Sequence, residues 1–179
     1  EYIVGKFFKH LKRIKKVSPE ISARTISLND IKPRLTILAR AFTGKPIEIF
    51  PAEREGGYKN NNFFLPISFA EFSTIEENRN FYLFRILYLT IQQRLDLNWK
   101  SSDTEQSLAL SQQKAEETSH QVLEVLFEEF PVTKEIYNNA KRHFEQKIDS
   151  KTGVDYSWIF GKWMRNEIEQ KTDSKLENF

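Results

Sequence analysis

The sequence has no cysteine. That absence removes disulfide frameworks, cysteine nucleophiles, iron–sulfur clusters and cysteine-rich zinc sites together. Glycine and proline are scarce, six of each in 179 residues, which argues against collagen-like, linker-like and many-turned β architectures. No apolar run approaches the roughly 20 residues of a membrane-spanning helix, so the expected setting is the cytoplasm. The chain starts at Glu1 and not at Met, and we expect it to be a fragment of something longer. Catalytic signatures are missing as well. There is no Gly-x-Ser-x-Gly, no His-Glu-x-x-His and no Gly-Lys-Ser/Thr, and the one glycine pair, Gly56-Gly57, runs into Tyr58. The expectation is a protein that is not an enzyme and holds no cofactor.

What is present is apolar and aromatic. Hydrophobic residues make up 39%, and fifteen phenylalanines raise the aromatic share to 13%, too many for a disordered chain. A chain of this length buries roughly 70% of the surface it exposes unfolded, enough for a substantial core. Periodicity predicts a mainly α fold: residues 1–179 as a single helical domain of about six helices with one small β-hairpin. Ile3, Phe7, Leu11 and Ile14 make one face of a helix over residues 2–17, stopped by Ser18-Pro19. Ile31, Leu35, Leu38 and Phe42 mark a second helix from about Leu28, or from Lys32 if Pro33 delays it, with Gly44 and Pro46 as its exit. Alternation in residues 46–50 and the apolar run 62–66 read as the two strands of the hairpin (about 46–66), with polar residues 52–61 as its loop. Ser73 or Thr74 caps a long helix to about Leu97, apolar on more than one side. Residues 101–113 read as a loop or a helix start. Further helices are expected up to Phe130, from Thr133 to Ile148, and from Asp155 or Ser157 through Met164 and Ile168. A frayed polar tail covers 171–179.

The net charge of +2 hides an uneven distribution. Residues 1–50 hold eleven Lys/Arg against four Asp/Glu, and residues 101–150 hold five against ten. Lys9, Lys12, Arg13, Lys15 and Lys16 crowd the polar side of the first helix, where they suit an acidic partner, a nucleic acid or, less well, a membrane surface. Nucleic-acid binding calls for exposed aromatics among the basic residues, whereas Phe7 and Phe8 fall on or beside the apolar stripe. Core packing is therefore the favoured account of that helix. The hairpin loop, with Tyr58 and Lys59 among three asparagines, is a second candidate contact surface. One metal-like pattern exists: Glu117-x-x-His120 has the spacing of di-iron helix bundles, but a second such pair is missing, since Ala140 stands three residues before His143. Glu117 and His120 are weak metal candidates on this ground.

One set of blocks resembles a known family. Leu38 to Ile47 (LARAFTGKPI), Leu65-Pro66, Glu77-Asn78 with Tyr82 and Arg85, and Phe127 to Pro131 (FEEFP) resemble the N-terminal helical region of NorD/CbbO-type proteins, over roughly residues 28–137. In that family a helical N-terminal part precedes a von Willebrand factor A domain, and the protein works with a MoxR-type AAA+ ATPase to activate or mature a target enzyme. The resemblance implies an adaptor whose partners are such an ATPase and its target enzyme. The family's Asp-x-Ser-x-Ser metal site does not occur here, so its metal function is carried onto no residue of this chain. Nucleic-acid binding through the basic first helix is the alternative.

Overall fold

A computed structural model of the chain describes residues 18–54, 56–147 and 153–169. The expected first helix, with Lys9, Lys12, Arg13, Lys15 and Lys16, lies outside the described residues, as does the tail from 171. Ser18-Pro19 begins a helix here: the Ser18 hydroxyl accepts the Ile21 N–H at 3.2 Å, and Pro19 opens α1 (Pro19–Arg24), where a missing N–H costs nothing. Strand β1 (Ile26–Ser27) leads into α2 (Leu28–Thr43). Pro33 does not delay α2, although it lacks the N–H that would bond the Asn29 carbonyl. The buried stripe of α2 is Leu28, Ile31, Leu35 and Ala39, and Gly44 ends it in the left-handed conformation (φ 66°).

The strands depart from expectation. β2 (Glu48–Ala52), β3 (Gly57–Lys59) and β4 (Asn62–Pro66) form a sheet in the order β2-β4-β3, in which β4 runs parallel to β2 and antiparallel to β3. The two predicted strands are therefore parallel neighbours, and the hairpin is β3–β4, turning at Asn60-Asn61 with Asn60 at φ 50°. Alternation identifies the face each residue takes but is blind to strand direction. Ile49, Phe63 and Leu65 are buried as the pattern requires. The Glu48 N–H bonds the Asn61 carbonyl and the Ile67 N–H bonds the Ala52 carbonyl, so the backbone groups of Ile49 and Pro51 face the outer edge of β2. At the other edge, the Tyr58 carbonyl of β3 accepts from the Asn98 amide at 2.8 Å. A second, two-stranded sheet pairs β1 with β5 (Ser68–Phe69).

Of the two expected caps it is Thr74 that caps α3 (Ile75–Arg94), and it does so in a capping box: its hydroxyl accepts the Glu77 N–H at 3.2 Å, and the Glu77 carboxylate accepts the Thr74 N–H at 3.1 Å. The segment after α3 becomes helical at Leu108, with Ser107 as cap. The helix expected through Phe130 is two: α4 (Leu108–Glu117) and α5 (Ser119–Glu129), parted at Thr118. α6 spans Val132–Gln146, so Thr133 sits inside its first turn, not at its cap, and its hydroxyl bonds the Phe130 carbonyl. The last predicted helix shrinks to α7 (Ser157–Phe160), because Gly161 turns left-handed at φ 67° and the chain then continues to Glu169 without further helix. Among the described residues there are thus seven helices and two small sheets, mainly α but with more β than one hairpin. No described helix is long and apolar enough to cross a membrane.

α3 occupies the centre, touching α1, α2, α5, α6 and the three-stranded sheet. Its buried residues circle the axis: Phe81, Tyr82, Phe84, Arg85 and Ile86 are each at most 1% exposed. At its N-terminal end, Asn78 ties three segments together: it accepts the Phe72 N–H at 2.9 Å and donates to the carbonyls of Arg24 (2.9 Å) and Phe72 (3.1 Å).

Candidate interaction groove

Three segments distant in sequence meet on the outer face of the larger sheet. Phe50 of β2 and Phe64 of β4 stand in register and stack, with centroids 5.7 Å apart, and Phe50 remains 38% exposed. The Lys32 ammonium lies 5.9 Å from the Phe50 ring centre. Beside Phe64, a hollow of about 440 Å³ is bounded by Arg54, Leu108, Lys162 and Met164. A second hollow of about 300 Å³ shares Leu108, Lys162 and Met164 and continues to Trp99 and Trp163. The two make one groove, in which Phe64, Leu108 and Met164 lie among a larger number of polar side chains. Leu108, on the first turn of α4, is 52% exposed there.

Charges of both signs sit along the rim, Arg54, Lys59, Lys162 and Arg165 beside Glu53, Glu105 and Glu167. Arg54 pairs with Asp155 and covers the Trp158 ring at 5.4 Å. Lys59 stands 3.8 Å from Glu167, and Lys162 forms no ion pair among the described residues. Trp99 and Trp163 meet edge to face at 5.0 Å. The Trp99 indole N–H donates to the Ser111 hydroxyl, while the Trp163 N–H is buried without a partner. A buried donor left unpaired costs roughly 1–3 kcal/mol.

Arg85 is the most unusual charged group. It is 1% exposed, its Nη1 donates to the Ile159 carbonyl at 2.7 Å, its guanidinium lies 5.1 Å from the Tyr88 ring, and its Nη2 has no partner. Burial lowers its pKa to about 10, opposed by Tyr88, so the group stays charged at neutral pH. Buried charges are usually paired, and among the described residues no carboxylate bonds this one.

The sequence candidates fare differently. Lys59 is brought to the groove rim. Tyr58 is not a loop-tip residue: it is 2% exposed, and burial raises its pKa. The Glu117/His120 pair straddles the break at Thr118, so the one-face argument for it fails. His120 Nδ1 lies 3.0 Å from the Glu117 backbone carbonyl, while the Glu117 side chain accepts from Gln113 and faces Lys114. Among the described residues, no three His, Asp or Glu side chains are grouped as metal ligands would be. Phe50, Phe64, Leu108, Met164 and Lys162 went unremarked as a site. The nearest sequence signal is that Phe50 falls off the Ile47/Ile49 alternation and Phe64 adjoins Phe63, which puts each on the face opposite the buried one.

His143 is a structural histidine. Its ring packs on Phe72 (5.0 Å) and Phe144 (5.2 Å), with Nε2 3.7 Å from Glu71, which also binds Lys147. Burial, then Lys147, holds the imidazole below its ordinary pKa, with Glu71 opposing and Arg24 adding slightly. The folded state therefore takes up this proton less readily than the unfolded chain. Stability from this site is complete above the unfolded value of about 6.5 and falls as pH drops below it. Melting temperature is expected to fall between pH 7.5 and 5.5 more steeply in the wild type than in His143→Gln. Parallel slopes would remove His143 from the account.

Compared with known proteins, no family model matches this chain, nor does any curated protein or solved structure.

Proposed function

We propose that this chain is a non-catalytic interaction domain, an adaptor that holds a segment of a protein partner in the groove between the sheet and residues 161–167. The observation that supports the proposal is the exposed Phe50 ring stacked on Phe64, which borders a groove holding Leu108 and Met164 among charged side chains of both signs. Apolar residues within polar rims are how transient protein contacts are built, with aromatic anchors supplying most of the affinity. The resemblance of residues 28–137 names the partner to test, a MoxR-type AAA+ ATPase acting on a target enzyme.

The test is co-purification with such an ATPase, with and without nucleotide. Phe50→Ser and Lys162→Glu are each expected to weaken the complex at least about tenfold, as loss of an anchor and reversal of a rim charge should. Wild-type affinity in both variants would remove the groove from the contact.

A second reading is favoured by one feature. Two stacked aromatics beneath a lysine also suit the bases of single-stranded nucleic acid. Binding of a single-stranded oligonucleotide that Phe50→Ser abolishes, with the ATPase ignored, would put that reading first.

A further inference from the structure

A projection and a hollow adjoin on the outer face of the larger sheet. The projection is Phe50, whose ring is stacked on Phe64 and stands 38% exposed. The hollow is the space of about 440 Å³ beside the same Phe64, bounded by Leu108, Lys162 and Met164 and larger than a phenylalanine side chain. Its wall is fixed before anything enters. The Lys162 N–H bonds the Gly56 carbonyl (3.0 Å), the Trp163 N–H bonds the Ser111 carbonyl (3.0 Å), and the Met164 N–H bonds Asn98 Oδ1 (2.5 Å). A preformed hollow loses little freedom when it is filled. When a projection and a hollow lie side by side, a two-fold axis between them mates each with its counterpart on a second copy, twice over.

The charges of the groove have the same self-matching property. Among the described residues, Glu53, Glu105 and Lys162 form no ion pair, and neither does Arg165, which bonds the Asp103 carbonyl at 3.3 Å. Two cations and two anions are thus left over on one face. That face turned by half a revolution presents both signs to both signs, whereas a partner surface of one sign would oppose half of them. The net charge of +2 sets little repulsion between copies.

We propose that the chain pairs with a second copy of itself through this groove, Phe50 of each copy seated in the hollow beside Phe64 of the other. The pairing adds regulation to the groove read above as a protein-docking site, and it rests on that reading for what it regulates. A dimer of this form covers the surface the partner needs, so pairing and partner binding exclude each other.

Sedimentation equilibrium of the full chain tests the pairing. A reversible monomer–dimer equilibrium without larger species is expected, because an isologous contact closes on itself. Phe50→Ser and Lys162→Glu should each weaken the dimer at least about tenfold, with circular dichroism checking that the variants fold. Mixing variants separates direct contact from a general effect of charge. Lys162→Glu combined in equal amounts with either Glu53→Lys or Glu105→Lys should recover a dimer in one of the two mixtures. Each contact then joins opposite charges, while either variant alone sets like charges together. A chain that stays monomeric up to about 1 mM, open-ended oligomers, a dimer indifferent to Phe50→Ser, or recovery in neither mixture overturns the proposal. The ATPase complex separates this inference from the reading beneath it. A monomeric chain whose ATPase complex is weakened by Phe50→Ser overturns the pairing and leaves the docking groove standing. A dimer lost in Phe50→Ser, with an ATPase complex absent or unchanged in that variant, upholds the pairing and removes the named partner from the groove.

Discussion

Replacing Phe81 by alanine is expected to cost roughly 3–5 kcal/mol of stability, the range for truncating a fully buried phenylalanine. The ring is 1% exposed and lies stacked on Phe69 with centroids 4.4 Å apart, stacked on Phe84 at 6.0 Å and edge-on to Phe72 at 5.5 Å. Phe69 belongs to β5 and Phe72 to the loop after it, so Phe81 is where the small sheet is pinned to the central helix. The hole would be lined by rings whose positions are set by their own neighbours, which limits collapse into it. Urea denaturation should show a lower midpoint with an unchanged slope. Ile37→Ala, at a position 69% exposed on α2, serves as comparison and should cost no more than about 0.5 kcal/mol. A Phe81→Ala loss below about 1 kcal/mol would contradict the described core.

Gly56→Ala is expected to be as damaging for a different reason. A Cβ at this position would sit 1.8 Å from the Phe64 carbonyl oxygen and 2.7 Å from its carbon. Phe64 lies in the middle strand, so the obstacle is backbone bonded on both sides and has no side chain to swing away. The cost should reach about 3 kcal/mol or more, the upper end for overpacking. Gly44→Ala separates this clash from ordinary glycine effects. Gly44 has positive φ but nothing within 4 Å of a Cβ, and its replacement should cost only the left-handed penalty of about 1–2 kcal/mol. Comparable midpoints for the two variants would mean that Gly56 does not approach β4 as described.

The helices were readable where a local signal sufficed. The cap at Thr74, the Gly44 exit and the apolar character of α3 on more than one side are properties of neighbouring residues, and each appears where the local sequence placed it. The Thr118 break carried no glycine or proline to announce it, and Glu117-x-x-His120 looked continuous for that reason. β3 was unreadable for another cause. Gly57-Tyr58-Lys59 is three residues in a polar stretch, and Tyr58 becomes core only because Phe63 is drawn opposite it. The groove was less legible still. Phe50 and Phe64, Leu108, and Met164 come from separate regions, and Met164 reaches the sheet only because Gly161 ends the helix that periodicity extended through it. The Gly161 turn depends on Gly56 and Arg85 lying beneath it, a long-range circumstance that no local window contains.

The two edges of the larger sheet constrain how it can associate. Pro51 offers no N–H along the outer side of β2, and the carbonyl of Tyr58 on β3 is already taken by Asn98. A strand arriving at either side would find its ladder interrupted, which is a common protection against runaway strand-to-strand polymerisation. A partner of the proposed kind would thereby be steered across the face of the sheet and not along its margins. Recognition would then depend on side chains that evolve one at a time, while the backbone ladder, which accepts almost any extended sequence, is kept out of play.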